Sequence, residues 1–171
     1  MLNRCSFPGG REESFWTIDP IDGTRGFIRG EQYAICLAYI EKGKVDIGIL
    51  GCPNLIHTKN GHSCVGTILV AERNKGAFQA PLLQEVSKEW DQIQVSNVDQ
   101  VENARYVESF ESRHSSHEKA MSVAEFLQIA NVPTRLDSQC KYAVVARGES
   151  EIYMRIPVLK KNKEFIWVCS F

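Results

Sequence analysis

"YAICLAYIEKGKVDIGILG", residues 33–51, decides the fold class. Residues 33–40 form a near-continuous apolar run, and KVDIGILG takes up the β pattern again after Glu41-Lys42-Gly43-Lys44. Two apolar runs around so short a glycine-bearing turn read as a buried antiparallel hairpin. SCVGTILVAERNKGAFQ, residues 63–79, reads as a second strand pair turning at Asn74-Lys75-Gly76. CPNLI, residues 52–56, turns the chain between the two pairs. Upstream, SFWTI carries the β-formers Phe15, Trp16 and Ile18 into Asp19. Pro20 ends that strand, because it has no N–H for a ladder.

A second section starts near residue 101. ARYVESF reads as a strand. SSHEKAMSVAEFLQIAN has helical spacing in Met121, Ala124, Phe126-Leu127 and Ala130, with Ser115 or Ser116 as N-cap and Glu118 in the first turn. TRLDSQCKYAVVARG and SEIYMRIPV add a strand end, a short helix and another strand. Antiparallel pairing early, followed by mixed elements, predicts α+β rather than a doubly wound sheet.

The chain has 171 residues, 43% hydrophobic and 24% charged, with a formal net charge of -1. That balance gives no sign of a nucleic-acid or membrane partner. The basic cluster Lys160, Lys161 and Lys163 is short and reads as a solvated loop. Cysteines at 5, 36, 52, 64, 140 and 169 show no C-x-x-C spacing and read as reduced thiols. MLNRCSFPGG lacks a secretory apolar region, and no apolar run is long enough to span a bilayer. The reading is a cytoplasmic protein, with the nucleus left open.

DPIDGT, residues 19–24, admits two readings. It is good turn chemistry: Asp accepts backbone hydrogen bonds, Pro presets φ and Gly supplies positive φ. It is also a hard-oxygen set. Asp19 and Asp22 with the Ile21 carbonyl between them suit Mg²⁺, and the Gly23 and Thr24 amides suit a phosphate.

WTIDPIDGT resembles the signature of the lithium-sensitive, magnesium-dependent phosphatases, the inositol monophosphatase superfamily. RGFIRGEQYAICLAYIEKGKVDIGILGCPNL, HSSH at 114–117, LDSQCKYAVVARG and IYMRIP are similar to its 3'(2'),5'-bisphosphate nucleotidase branch, in that order. The resemblance implies a layered α/β sandwich. Residues 1–100 would form part of an N-terminal half-domain bearing the metal and phosphate motif. Residues 101–171 would begin a smaller nucleotide-contacting half. It implies Asp19, Ile21 and Asp22 as Mg²⁺ ligands, Thr24 as the group that helps activate water, and Gly23 and Thr24 as phosphate holders. His114, Ser138, Lys141 and Arg155 match nucleotide-contacting positions. Lys and Arg suit phosphate oxygens.

The implied activity is hydrolysis of 3'-phosphoadenosine 5'-phosphate to AMP and phosphate, by a monomer sensitive to lithium. Alternatives are a nucleotide-holding remnant, an inactive fragment, or an inositol phosphate phosphatase. The chain departs from the pattern at both ends and reads as truncated. Family members carry a Glu-Glu pair well upstream of the aspartates, whereas Glu12 and Glu13 here read as loop charges. They also carry Ile-Trp-Asp where this chain has Ile166-Trp167-Val168, and valine offers no side-chain oxygen. Uncovered sheet faces are the expected consequence.

Overall fold

The computed structural model describes residues 13–83, 90–112 and 115–157. Glu12, His114, the 160–163 lysines and Val168 lie outside them. The chain runs β1 (Ser14–Asp22), α1 (Thr24–Arg29), β2 (Ala34–Glu41), β3 (Lys44–Lys59), β4 (His62–Glu72), β5 (Gly76–Pro81) and β6 (Asp91–Ile93). A 3-10 turn at Val101–Asn103 precedes β7 (Tyr106–Ser109), α2 (His117–Phe126), β8 (Thr134–Leu136), α3 (Cys140–Ala146) and β9 (Ile152–Met154).

Strands β1 to β6 form one antiparallel sheet in chain order. Its hairpins turn where the backbone can take positive φ: Lys42-Gly43 at 48° and 74°, Asn60-Gly61 at 51° and 79°. Two successive positive φ values match the right-handed twist of the flanking strands. The expected hairpins are therefore present, with two corrections. CPNLI does not turn the chain. It lies inside the 16-residue β3, where the register shifts between Cys52 and Ile56 and bends the strand instead. Nor does Pro20 end β1, which continues to Asp22. β1 is an edge strand, and its register skips Pro20 and Ile21, so no ladder bond requires the missing N–H.

The second sheet has the order β8-β7-β9 and is parallel throughout. Parallel strands need crossovers, and α2 and α3 supply them. Ser116 caps α2, its hydroxyl accepting from Lys119 N at 3.4 Å. All four residues of β7 are buried, because both of its faces are covered. Val107 joins Leu50, Cys52 and Leu69 of the large sheet and Cys140, Ala143 and Val144 of α3 in one core. Tyr106 joins Ala120, Ala124, Ile129 and Met154 in another. The layers are thus large sheet, α3, small sheet, α2. Burying Leu50, Leu69 or Val107 contributes roughly 1.5–3 kcal/mol each.

Apolar spacing overstated burial in two places. On α2 the alanines face the core, while Met121 and Phe126 are exposed. In β2, read as buried, Ile35 is also exposed; Trp16 and Ile18 on the adjoining β1 share this open face, the expected uncovered sheet face, and Trp16 stacks 5.1 Å from Tyr39. Among the described residues no helix is long and apolar enough to cross a membrane.

Candidate active site

The bulge at the end of β1 places the carboxylate turn at the sheet edge. Asp19 does perform turn chemistry: its Oδ1 accepts from Ile21 N at 3.3 Å. Its side chain is nevertheless exposed, as is Ile21. Asp22 is half-buried and reaches the second half of the chain. Gln139 N donates to Asp22 Oδ2 at 2.6 Å, across 117 residues of sequence. Burial pushes the Asp22 carboxyl above the usual carboxylate range, opposed by the Gln139 bond. The Asp19 charge pushes the same way as burial, whereas Lys141 and Arg155 pull it down.

Gly23 caps α1 at φ 83°, ψ 46°, and Thr24 opens the helix with its side chain exposed. A Cβ on Gly23 would stand 2.6 Å from Ser138 Cβ. Ser138 itself has φ 61°, costly for a residue with a side chain. Its hydroxyl accepts from Cys140 N at 3.2 Å and so helps start α3. One turn on, Lys141 is 5% exposed. Its ammonium donates to Ser138 O at 2.6 Å and Leu136 O at 3.2 Å and lies 5.7 Å from the Tyr153 ring. Two carbonyls occupy two of three N–H donors, which leaves one for an anion. Burial pushes Lys141 down to about 8, against the attraction of Asp22 and Asp137. Arg155 follows β9, is exposed, and acts on Asp22, Lys141 and Tyr153.

Asp22, Gly23, Ser138, Lys141 and Arg155 therefore share one site, although they come from distant segments. Asp19 adjoins it, and Thr24 enters through its neighbour Gly23. His114 lies outside the described residues. The donor set fits a hard divalent cation: two carboxylates and a carbonyl on one turn, with Asp22 held beside a like charge that a cation would relieve. Among the described residues no group of three or more His, Cys, Asp and Glu converges on a metal position.

Sequence reasoning missed the ion network behind the site. Arg25 Nη1 meets Glu111 Oε2 at 2.6 Å, and Arg29 meets Glu31, Glu111 and Asp137. Arg25 and Arg29 share one helical face at i, i+4, which is readable. Their partners Glu111 and Asp137 lie 82 to 108 residues away, which is not.

The chain is 43% identical over 169 residues to the 3'(2'),5'-bisphosphate nucleotidase of Schizosaccharomyces pombe, covering 98% of this chain and 48% of that protein. It is 45% identical over 153 residues to the 3'(2'),5'-bisphosphate nucleotidase of Dictyostelium discoideum, covering 90% and 45%. It thus spans about half the length of the curated relatives it matches. Among solved structures, Mycobacterium tuberculosis SuhB superposes with a TM-score of 0.62 at 20% identity, over 85% of this chain and 54% of that one, a likeness of fold. The family match itself runs across residues 2–167, through both sheets and the turn between the aspartates, and the chain belongs to the inositol monophosphatase family.

Proposed function

We propose that this site removes the 3'-phosphate of 3'-phosphoadenosine 5'-phosphate, giving AMP and inorganic phosphate. The observation that carries the reading is the Asp22–Gln139 bond of 2.6 Å, which sets the carboxylate turn against the Ser138–Lys141 turn. The names of the curated relatives support the same substrate. Asp19, Asp22 and the Ile21 carbonyl would hold Mg²⁺. When bound, it supplies charge to the phosphate oxygens and lowers the pKa of a water.

The chain's own residues do the positioning. The Gly23 and Thr24 amides hold the scissile phosphate, and the Thr24 hydroxyl orients the attacking water. Ser138, Lys141 and Arg155 hold the second phosphate, by hydroxyl and by charge-assisted bonds. His114 contacts the nucleotide. Residues 1–100 form the metal-bearing half and residues 101–171 the nucleotide-contacting half. The partner is this small molecule, the protein acts as a cytoplasmic monomer, and lithium inhibits it by competing for the cation site.

The test is phosphate release from 3'-phosphoadenosine 5'-phosphate by the purified 171-residue chain, with and without Mg²⁺, beside Asp22→Asn. Magnesium-dependent release that falls about 10²-fold in the variant is expected, the scale of losing one preorganised electrostatic group. Binding without release supports a nucleotide-holding role instead. Faster release from an inositol phosphate reassigns the substrate, and neither binding nor release sinks the proposal.

A further inference from the structure

The two sides of the site ride on different parts of the fold. Asp19, Asp22, Gly23 and Thr24 lie on β1, on the α1 cap and on α1, whereas Ser138, Lys141 and Arg155 lie on the turn before α3, on α3 and just after β9. The spacing between them is set by how α1 sits on the 137–138 turn, and two features govern that seat. The first is a glycine face. A Cβ on Gly26 would lie 2.0 Å from Gln32 O and 2.9 Å from Asp137 Oδ2, so α1 lies flush on the turn only without side chains there. The Gly23–Ser138 approach extends the same face.

The second feature is Arg29. Its guanidinium gives Nε to Glu31 Oε2 at 2.6 Å, Nη1 to Glu111 Oε1 at 2.6 Å and Nη2 to Asp137 Oδ2. It also lies 4.7 Å over the Phe110 ring. Exposed single ion pairs are weak. Here the acceptors Asp137 and Glu111 are only 7% and 15% exposed, and a planar fork bridges segments that follow β7 and β8. Asp137 immediately precedes Ser138.

We propose that Arg29 is a positioning residue, a latch that holds the two phosphate-holding sides at one spacing and so sets the preference for a ligand with two phosphates over a ligand with one. This rests on the function proposed above. A bisphosphate spans both sides, so its second contact is intramolecular and depends on a fixed distance. A monophosphate engages one side and is indifferent to that distance.

The experiment is calorimetric titration of the full chain with adenosine 3',5'-bisphosphate and with adenosine 5'-monophosphate. Ca²⁺ is present, and chromatography checks that the nucleotide is recovered intact. The native chain is expected to prefer the bisphosphate by about tenfold or more, and Arg29→Ala to shrink that ratio to about threefold or less. Affinity for the monophosphate stays close to native. Arg29→Lys gives an intermediate ratio, since one ammonium cannot fork to three carboxylates. If the native chain shows no preference, the two-phosphate reading fails and takes the latch with it. If the native chain prefers the bisphosphate and Arg29→Ala keeps the full preference, the latch alone is overturned. Should Arg29→Ala fail to fold by circular dichroism, Glu111→Gln, which removes the charge shared by Arg25 and Arg29, is read by the same two outcomes.

Discussion

Gly23 lies against Ser138 with no room for a side chain: a Cβ on the glycine would stand 2.6 Å from Ser138 Cβ. Both backbones are left-handed, at φ 83° and 61°. Gly23→Ala is expected to cost about 1–3 kcal/mol in denaturant unfolding. Adding Ser138→Gly removes both the collision and a strained φ, so the double variant recovers part of the loss. Simple additivity of the two changes would contradict the contact.

Gly26 and Gly30 make a contrasting pair on α1 and its C-cap. Gly26 faces a backbone carbonyl and the Asp137 carboxylate, whereas a Cβ on Gly30, at φ 71°, would meet nothing among the described residues within 4 Å. Gly30→Ala therefore carries only the left-handed backbone cost, about 1–2 kcal/mol. Gly26→Ala, at an ordinary helical φ, must instead displace Gln32 O and the Asp137 carboxylate, and is expected to lower the melting temperature further. Equal losses would show that α1 does not sit flush on the 137–138 turn.

Lys141 makes stability and binding respond oppositely to pH. Its folded value of about 8 lies below the ordinary 10.5, so the folded chain releases the proton first. Between about 8 and 10.5 the unfolded chain holds more protons, and stability rises with pH through that window. Below about 8 the folded chain bears the full cost of the buried charge. Lys141→Met should flatten the rise in a series of urea titrations. Affinity for adenosine 5'-monophosphate should fall over the same window in the native chain, because the charged form holds the phosphate.

Glu108 is a buried carboxylate on β7. It is 1% exposed, accepts from Arg135 Nε at 2.9 Å and has His117 Nε2 at 4.0 Å. Among the described residues its Oε2 has no hydrogen-bond partner. Arg135→Ala leaves that carboxylate buried without its 2.9 Å partner, a loss of about 1–3 kcal/mol in thermal unfolding. Adding Glu108→Gln should recover part of it. A double variant as unstable as the sum of the singles would contradict the pairing.

Short-range chemistry was legible. Lys-Gly and Asn-Lys-Gly placed two hairpins, and the serine pair 115–116 placed the α2 cap, because turns and caps depend on a few neighbouring residues. The aspartate pair was legible for the same reason, as a motif on one turn. Pro20 and CPNLI were misread because an edge position and a bulge are properties of the sheet, which no local stretch declares. Met121 and Phe126 have helical spacing but face solvent, since periodicity identifies a stripe and not what covers it.

By itself, then, the sequence determined the antiparallel first sheet, the helix–strand alternation of the second section and the placing of Asp19 and Asp22 on one turn. Tertiary structure alone decided that the second sheet is parallel and that α3 lies between the sheets. It alone set Asp22 on Gln139 and Arg29 on Asp137. Those pairs join residues more than a hundred positions apart. Their contact follows from the stacking of whole layers, where burial is a sum over many side chains and no single stretch specifies its partner.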